Sequence, residues 1–257
     1  MRTDPLHHLA NEAGRARRSA RAAGYRRNAT VLRFGFQCGA RGATRPTVPE
    51  LRSSLKLELI AFALILIIAN APLLGGSWRG QLVFFPGAVG SGEWWRVFTH
   101  PFVHVSWYHL LLDGAAFLML YAELGGWRTR QRLMAVAACG AGSLAAAMIN
   151  PAISSLGFCG LSGVAHGLMA VSAIEMIRRG ERRVGFCALA AVVSKAWFEA
   201  VTGNVALSFL HFGLMGTPIA ACHAGGVIGG LLLMLLRSRR ATTPSPSAIA
   251  ESALSPA

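Results

Sequence analysis

Six apolar runs, at about 57–74, 104–124, 133–150, 160–177, 184–201 and 219–236, constrain this chain more than any other feature. Each is close to the length a helix needs to cross a bilayer, and the basic residues divide the connections between them into two kinds. Arg128, Arg130 and Arg132 follow the second run, Arg178, Arg179, Arg182 and Arg183 the fourth, and Arg237, Arg239 and Arg240 the sixth. The other three connections hold only Arg79 and Arg96. Because cytoplasmic loops collect Arg and Lys, this alternation puts both termini in the cytoplasm and the connections after runs one, three and five outside. The chain is 53% hydrophobic and 14% charged, as expected of an all-α membrane protein with a six-helix bundle. Its 25 Lys and Arg against 11 Asp and Glu are accounted for by topology and anionic lipid, without nucleic acid.

Three segments follow from this pattern. Residues 1–55 form an Arg-rich, acid-poor tail that reads as mostly disordered and cytoplasmic, although such a start also fits an organelle transit peptide. Residues 56–236 form the membrane domain. Residues 237–257, with Pro244 and Pro246 among Ser, Thr and Ala, read as a second disordered tail. The connection 75–103 mixes glycines with Trp78, Phe84, Phe85, Trp94, Trp95 and Phe98, a composition suited to the bilayer interface. Cys38, Cys139, Cys159, Cys187 and Cys222 show no disulfide or zinc spacing, and Cys222 reads as a small buried apolar residue.

Polar groups inside membrane helices are costly, so each is a candidate for function. In Gly160-Leu161-Ser162-Gly163-Val164-Ala165-His166-Gly167, a serine and a histidine lie one helical turn apart between glycines. A serine hydroxyl needs a base, and the best candidate is His223, at the start of the sixth run. His109, Ser162 and His223 all fall near the outer ends of their runs, at one level of the bilayer. Gly163 with Gly167, and Gly226 with Gly230, are small-xxx-small pairs that let the fourth and sixth helices approach closely. Lys195 and Glu199 are spaced to pair with each other. His211 reads as a loop residue, and Glu123 and Glu175 as groups that reach cytoplasmic water. His100, His104 and His109 lack a supporting carboxylate pattern, so no metal and no cofactor are expected.

Four features together resemble the rhomboid family of intramembrane serine proteases. They are Glu93-Trp94-Trp95-Arg96, His109 followed four residues later by a polar side chain, Gly160-Leu161-Ser162-Gly163, and His223-Ala224-Gly225-Gly226 through Gly230. The Gly-Leu-Ser-Gly-Val-Ala-His-Gly form is most similar to the rhombosortase branch, whose proposed role is trimming proteins that end in a Gly-Gly-containing membrane anchor. The resemblance implies a Ser162–His223 dyad, with the Ser162 N–H and His109 holding the oxyanion. It also implies a multi-pass protein of the bacterial inner membrane acting on a membrane-anchored protein substrate. A non-catalytic rhomboid-like protein that binds or escorts membrane segments is the alternative.

Two residues depart from the family pattern. Asp113 stands where most rhomboids have Asn; it is either kept protonated by desolvation or pairs with His109 and holds that ring as a donor. His166 stands where many have an aromatic ring below the serine. It either stacks on or hydrogen-bonds His223, or simply fills the core.

Overall fold

The structure, a computed structural model, describes residues 53–77, 79–206 and 219–242, so Trp78, His211 and most of both tails lie outside it. The described residues contain six long helices: α1 Ser53–Asn70, α2 Trp107–Glu123, α3 Thr129–Ala147, α4 Ser162–Arg178, α5 Arg182–Thr202 and α6 Ala221–Thr242. Three stretches, Ser53–Gly75, Arg182–Thr202 and Ala221–Arg239, are long and apolar enough to cross a membrane. A short helix within Arg96–Phe102, bent by 97° from α2, makes a fourth candidate when the pair counts as one span. The fold is therefore an all-helical, multi-pass membrane architecture, with three to four spans by length and composition.

Helices α2 and α3 each turn one stripe inward, whereas the first three turns of α4 are buried on nearly every face. In α2 the buried stripe is His109, Asp113, Phe117 and Tyr121, and in α3 it is Arg132, Ala135, Cys139, Ser143 and Ala147. The outer faces are apolar too: Ile60, Ile67 and Ile68 on α1, Met119 on α2 and Trp197 on α5 are all exposed. A helix apolar all round belongs in lipid. Phe62 of α1 meets Phe117 and Tyr121 of α2 edge-on, both at 5.0 Å between ring centroids.

Helices α3, α4 and α6 pack backbone to backbone. A Cβ on Gly226 would collide with the Gly163 carbonyl, one on Gly167 with that of Gly226, and one on Gly225 with that of Gly142. Both glycine pairs expected from the sequence lie at this contact, and Gly142 of α3 joins them. Such close approach replaces the hydrophobic drive that lipid does not supply.

Two arginines that enter the charge pattern are internal. Arg132, in the first turn of α3, is fully buried and bonds Glu58 of α1 through Nε (2.7 Å) and Nη2 (2.6 Å). Thr129 and Tyr121 also donate to Glu58, at 2.6 and 2.5 Å. Hydropathy places the third helix at 133–150; it starts at Thr129 because Arg132 is neutralised inside the bundle rather than left in the loop. Arg96 bonds the carbonyls of Gly80 and Val83, each at 2.7 Å, and pairs with Glu93, organising the connection after α1. Phe84 and Phe158 exchange backbone hydrogen bonds of 3.0 and 2.9 Å, tying that connection to the segment before α4. Helix α6 continues past residue 236 to Thr242.

Candidate active site

Ser162 is the first residue of α4, reached through Gly160 in a left-handed conformation (φ 104°) that a side chain would strain. The first N–H groups of a helix have no partner within it, so this turn presents donors beside the serine hydroxyl. Ser162 is half-buried. Its Oγ faces Cys222 Sγ at 3.9 Å, and no hydrogen bond joins it to His223, the next residue on α6. Catalytic hydrogen bonds of this kind are often loose without substrate.

His223 is buried and held from the far side of its ring. Its Nδ1 lies 2.6 Å from Glu199 Oε2 on α5, and Glu199 is fully buried. The other carboxylate oxygen, Oε1, accepts from Lys195 Nζ at 2.6 Å and from the Ala206 N–H at 2.8 Å. The sequence pairs Lys195 with Glu199; the structure adds that the same carboxylate carries His223.

His166 completes the cluster. Its ring stacks on His223 at 4.1 Å between centroids and 16° between planes. Its Nδ1 meets the Ser162 carbonyl at 2.7 Å, and its Nε2 meets Lys195 Nζ at 2.8 Å. A carbonyl only accepts and an ammonium only donates, so Nδ1 carries the proton and Nε2 accepts. The stack on His223 is present, without a hydrogen bond between the two rings.

A second cluster abuts the same turn. Asp113 Oδ2 lies 3.1 Å from His109 Nε2 and 3.6 Å from His104 Nε2. Gly160 packs on it: a Cβ there would stand 2.9 Å from His109 Nε2 and 3.1 Å from Asp113 Oδ2. The Ser106 hydroxyl caps α2 by accepting from the His109 N–H at 3.1 Å. Asn70, buried at the end of α1, accepts from the His104 N–H at 2.8 Å and donates to the Phe102 carbonyl at 2.7 Å. His100 stands apart from this group, its Nδ1 3.1 Å from the Arg96 carbonyl and its ring beside Phe84 and Phe158.

All six residues singled out from the sequence, Ser162, His223, His109, Asp113, Gly160 and His166, therefore gather at the end of the bundle where α2, α4 and α6 begin. Sequence reasoning missed Glu199 and Cys222 as neighbours of His223 and Ser162, and set His104 aside. An acid near the end of an apolar helix was the available signal for Glu199.

The family model for the Rhomboid domain matches residues 91–240, more than half of the chain and every residue of both clusters except Asn70. A comparison with curated proteins returns no match.

Proposed function

Because the chain belongs to the rhomboid family, whose members are in general serine proteases acting on membrane proteins within the bilayer, we propose that it is an active intramembrane endopeptidase with Ser162 as nucleophile and His223 as base. The observation that carries this reading is the 2.6 Å contact from His223 Nδ1 to buried Glu199. Nδ1 donates to the carboxylate, which leaves the Nε2 lone pair available to a proton on Ser162.

In the proposed reaction, Ser162 Oγ attacks the scissile carbonyl as His223 Nε2 takes the hydroxyl proton. The oxyanion is met by N–H groups at the start of α4 and by His109, whose ring Asp113 holds in place. The resulting imidazolium lies against Glu199 and gives its proton to the departing amine. Water, deprotonated by the same nitrogen, then hydrolyses the acyl-enzyme and regenerates Ser162. The substrate segment must unwind first, since a helical carbonyl is already hydrogen-bonded, so small residues are expected at the cut.

We further assign a six-span bundle with cytoplasmic termini in the bacterial inner membrane, and a rhombosortase-like substrate whose anchor contains Gly-Gly. The motif Gly160–Gly167 and the loop charges support these assignments. The escort reading is favoured by one observation, that Ser162 faces Cys222 rather than His223.

The test is cleavage, in liposomes, of a Gly-Gly-tailed reporter and a generic single-span reporter by wild type and Ser162→Ala. Cleavage of the tailed reporter alone, abolished in the variant, is expected. Uncut reporters that co-purify with the wild type would instead establish the escort reading.

A further inference from the structure

Between Arg183 and Thr202, α5 carries two charges, Lys195 and Glu199, in an otherwise uncharged run. A lysine in such a helix is costly unless its ammonium finds water or a partner. Lys195 Nζ reaches two partners: Glu199 Oε1 at 2.6 Å, one turn along the same helix, and His166 Nε2 at 2.8 Å, across on α4. The first contact already pairs the charge. The second is not needed for that, and it joins Lys195 to the ring stacked on His223.

Together these contacts close a circuit drawn from α4, α5 and α6. His166 stacks on His223, His223 Nδ1 meets Glu199 Oε2, Glu199 Oε1 meets Lys195, and Lys195 returns to His166. His223 thus has two supports, a ring against its face and a carboxylate at its edge. Lys195 ties the two supports to each other.

We propose that Lys195 is a positioning residue for the Ser162–His223 pair, its ammonium clamping His166 and Glu199 so that His223 is held from face and edge at once. The inference rests on the protease reading of these residues. His166 is fixed at both ring nitrogens: Nδ1 donates to the Ser162 carbonyl at 2.7 Å and Nε2 accepts from Lys195, so turning the ring breaks both bonds. Glu199 is fixed through Oε1, which accepts from Lys195 and from the Ala206 N–H and leaves Oε2 to His223. The charge matters as well as the shape. Glu199 is fully buried and needs a paired cation. Without Lys195, the partner left to it is the His223 ring, which as an imidazolium no longer serves as a base.

The experiment compares full-length wild type, Lys195→Ala and Lys195→Met in liposomes, with kcat and KM measured on the cleaved reporter. Both variants are expected to lose about 10–100-fold in kcat, with KM within about twofold of wild type. The Lys195 side chain is 31% exposed, and alanine removes from it the atoms of propylamine. Propylammonium should therefore recover most of the lost kcat in Lys195→Ala, whereas 1-propanol should not, and neither should speed the wild type or Lys195→Met. A lysine needed only for folding would give no rescue that requires a charge. Adding Lys195→Ala to Glu199→Gln should cost less than Lys195→Ala alone, because the clamp acts through that carboxylate. Nitrogen-15 spectra of histidine-labelled protein read the clamp without proteolysis: the His166 Nε2 signal, assigned by its loss in His166→Phe, should shift in Lys195→Ala. The proposal is overturned if Lys195→Ala keeps the wild-type kcat, if propylammonium and 1-propanol act alike, or if the His166 signal does not move. Uncut reporters together with a shifted His166 signal would sink the protease reading and leave the clamp standing.

Discussion

Glu199 Oε2 lies 2.6 Å from His223 Nδ1, and the carboxylate that makes this contact is fully buried with every oxygen engaged. A dyad would leave the orientation of His223 to packing alone. In the proposed mechanism, α5 supplies a third member that fixes the tautomer of His223 and would face the imidazolium as it forms.

Glu199→Gln is therefore expected to lower kcat by about 10²–10⁴-fold with little change in KM, because the amide can present a donor to Nδ1 and favour the wrong tautomer. Steady-state kinetics across pH on the cleaved reporter measure it. A purely structural Glu199 would lower the amount of folded enzyme and leave the kcat of the folded fraction unchanged.

His166→Phe keeps a flat ring over His223 but removes the bonds to the Ser162 carbonyl and Lys195. Losing about 1.4 kcal/mol of such hydrogen bonding is tenfold in rate, so kcat is expected to fall about tenfold. Full turnover in the variant would assign His166 to packing alone.

That His109, Ser162 and His223 lie at one end of the bundle was legible in the sequence because each falls near the start of an alternate apolar run, and alternate helices of an up-down bundle start at the same end. The glycine contacts were legible for a similar reason, since Gly163, Gly167, Gly226 and Gly230 keep helical spacing. Rotation of α5 was not. That helix is apolar on nearly every face, so nothing in its pattern says that Glu199 turns to His223 while Lys195 bridges back to His166. Arg132 misled for the opposite reason: a charge beside an apolar run reads as loop until its partner Glu58, on another helix, is known.

Arg132→Met is expected to destabilise the protein by about 3–5 kcal/mol, since it strands a Glu58 carboxylate inside the bundle. Replacing both residues, as Glu58→Leu with Arg132→Met, should recover most of that loss. Thermal unfolding in detergent distinguishes the two; equal losses in both variants would deny the coupling.

Gly226→Ala should disrupt the bundle, because its methyl group meets the Gly163 carbonyl and neither backbone can yield. Overpacking of this kind costs about 1–3 kcal/mol or more. Gly126→Ala, with open space around its Cβ, should unfold at the wild-type temperature. A Gly226→Ala protein as stable as Gly126→Ala would contradict the close packing of α4 on α6.

Asp113→Asn separates two roles for that carboxylate. If Asp113 holds His109 in place, turnover falls, by up to about 10²–10³-fold when the oxyanion donor is lost altogether. A rise in turnover would show instead that the Asp113 charge opposes the oxyanion.

The most direct measurement is labelling of purified enzyme with a serine-directed fluorophosphonate, read by intact mass and peptide mapping. One adduct per chain on Ser162 in the wild type, lost in both Ser162→Ala and His223→Ala, is the predicted result. No adduct in a folded wild type, or undiminished labelling of Ser162 in His223→Ala, would contradict a serine activated by His223.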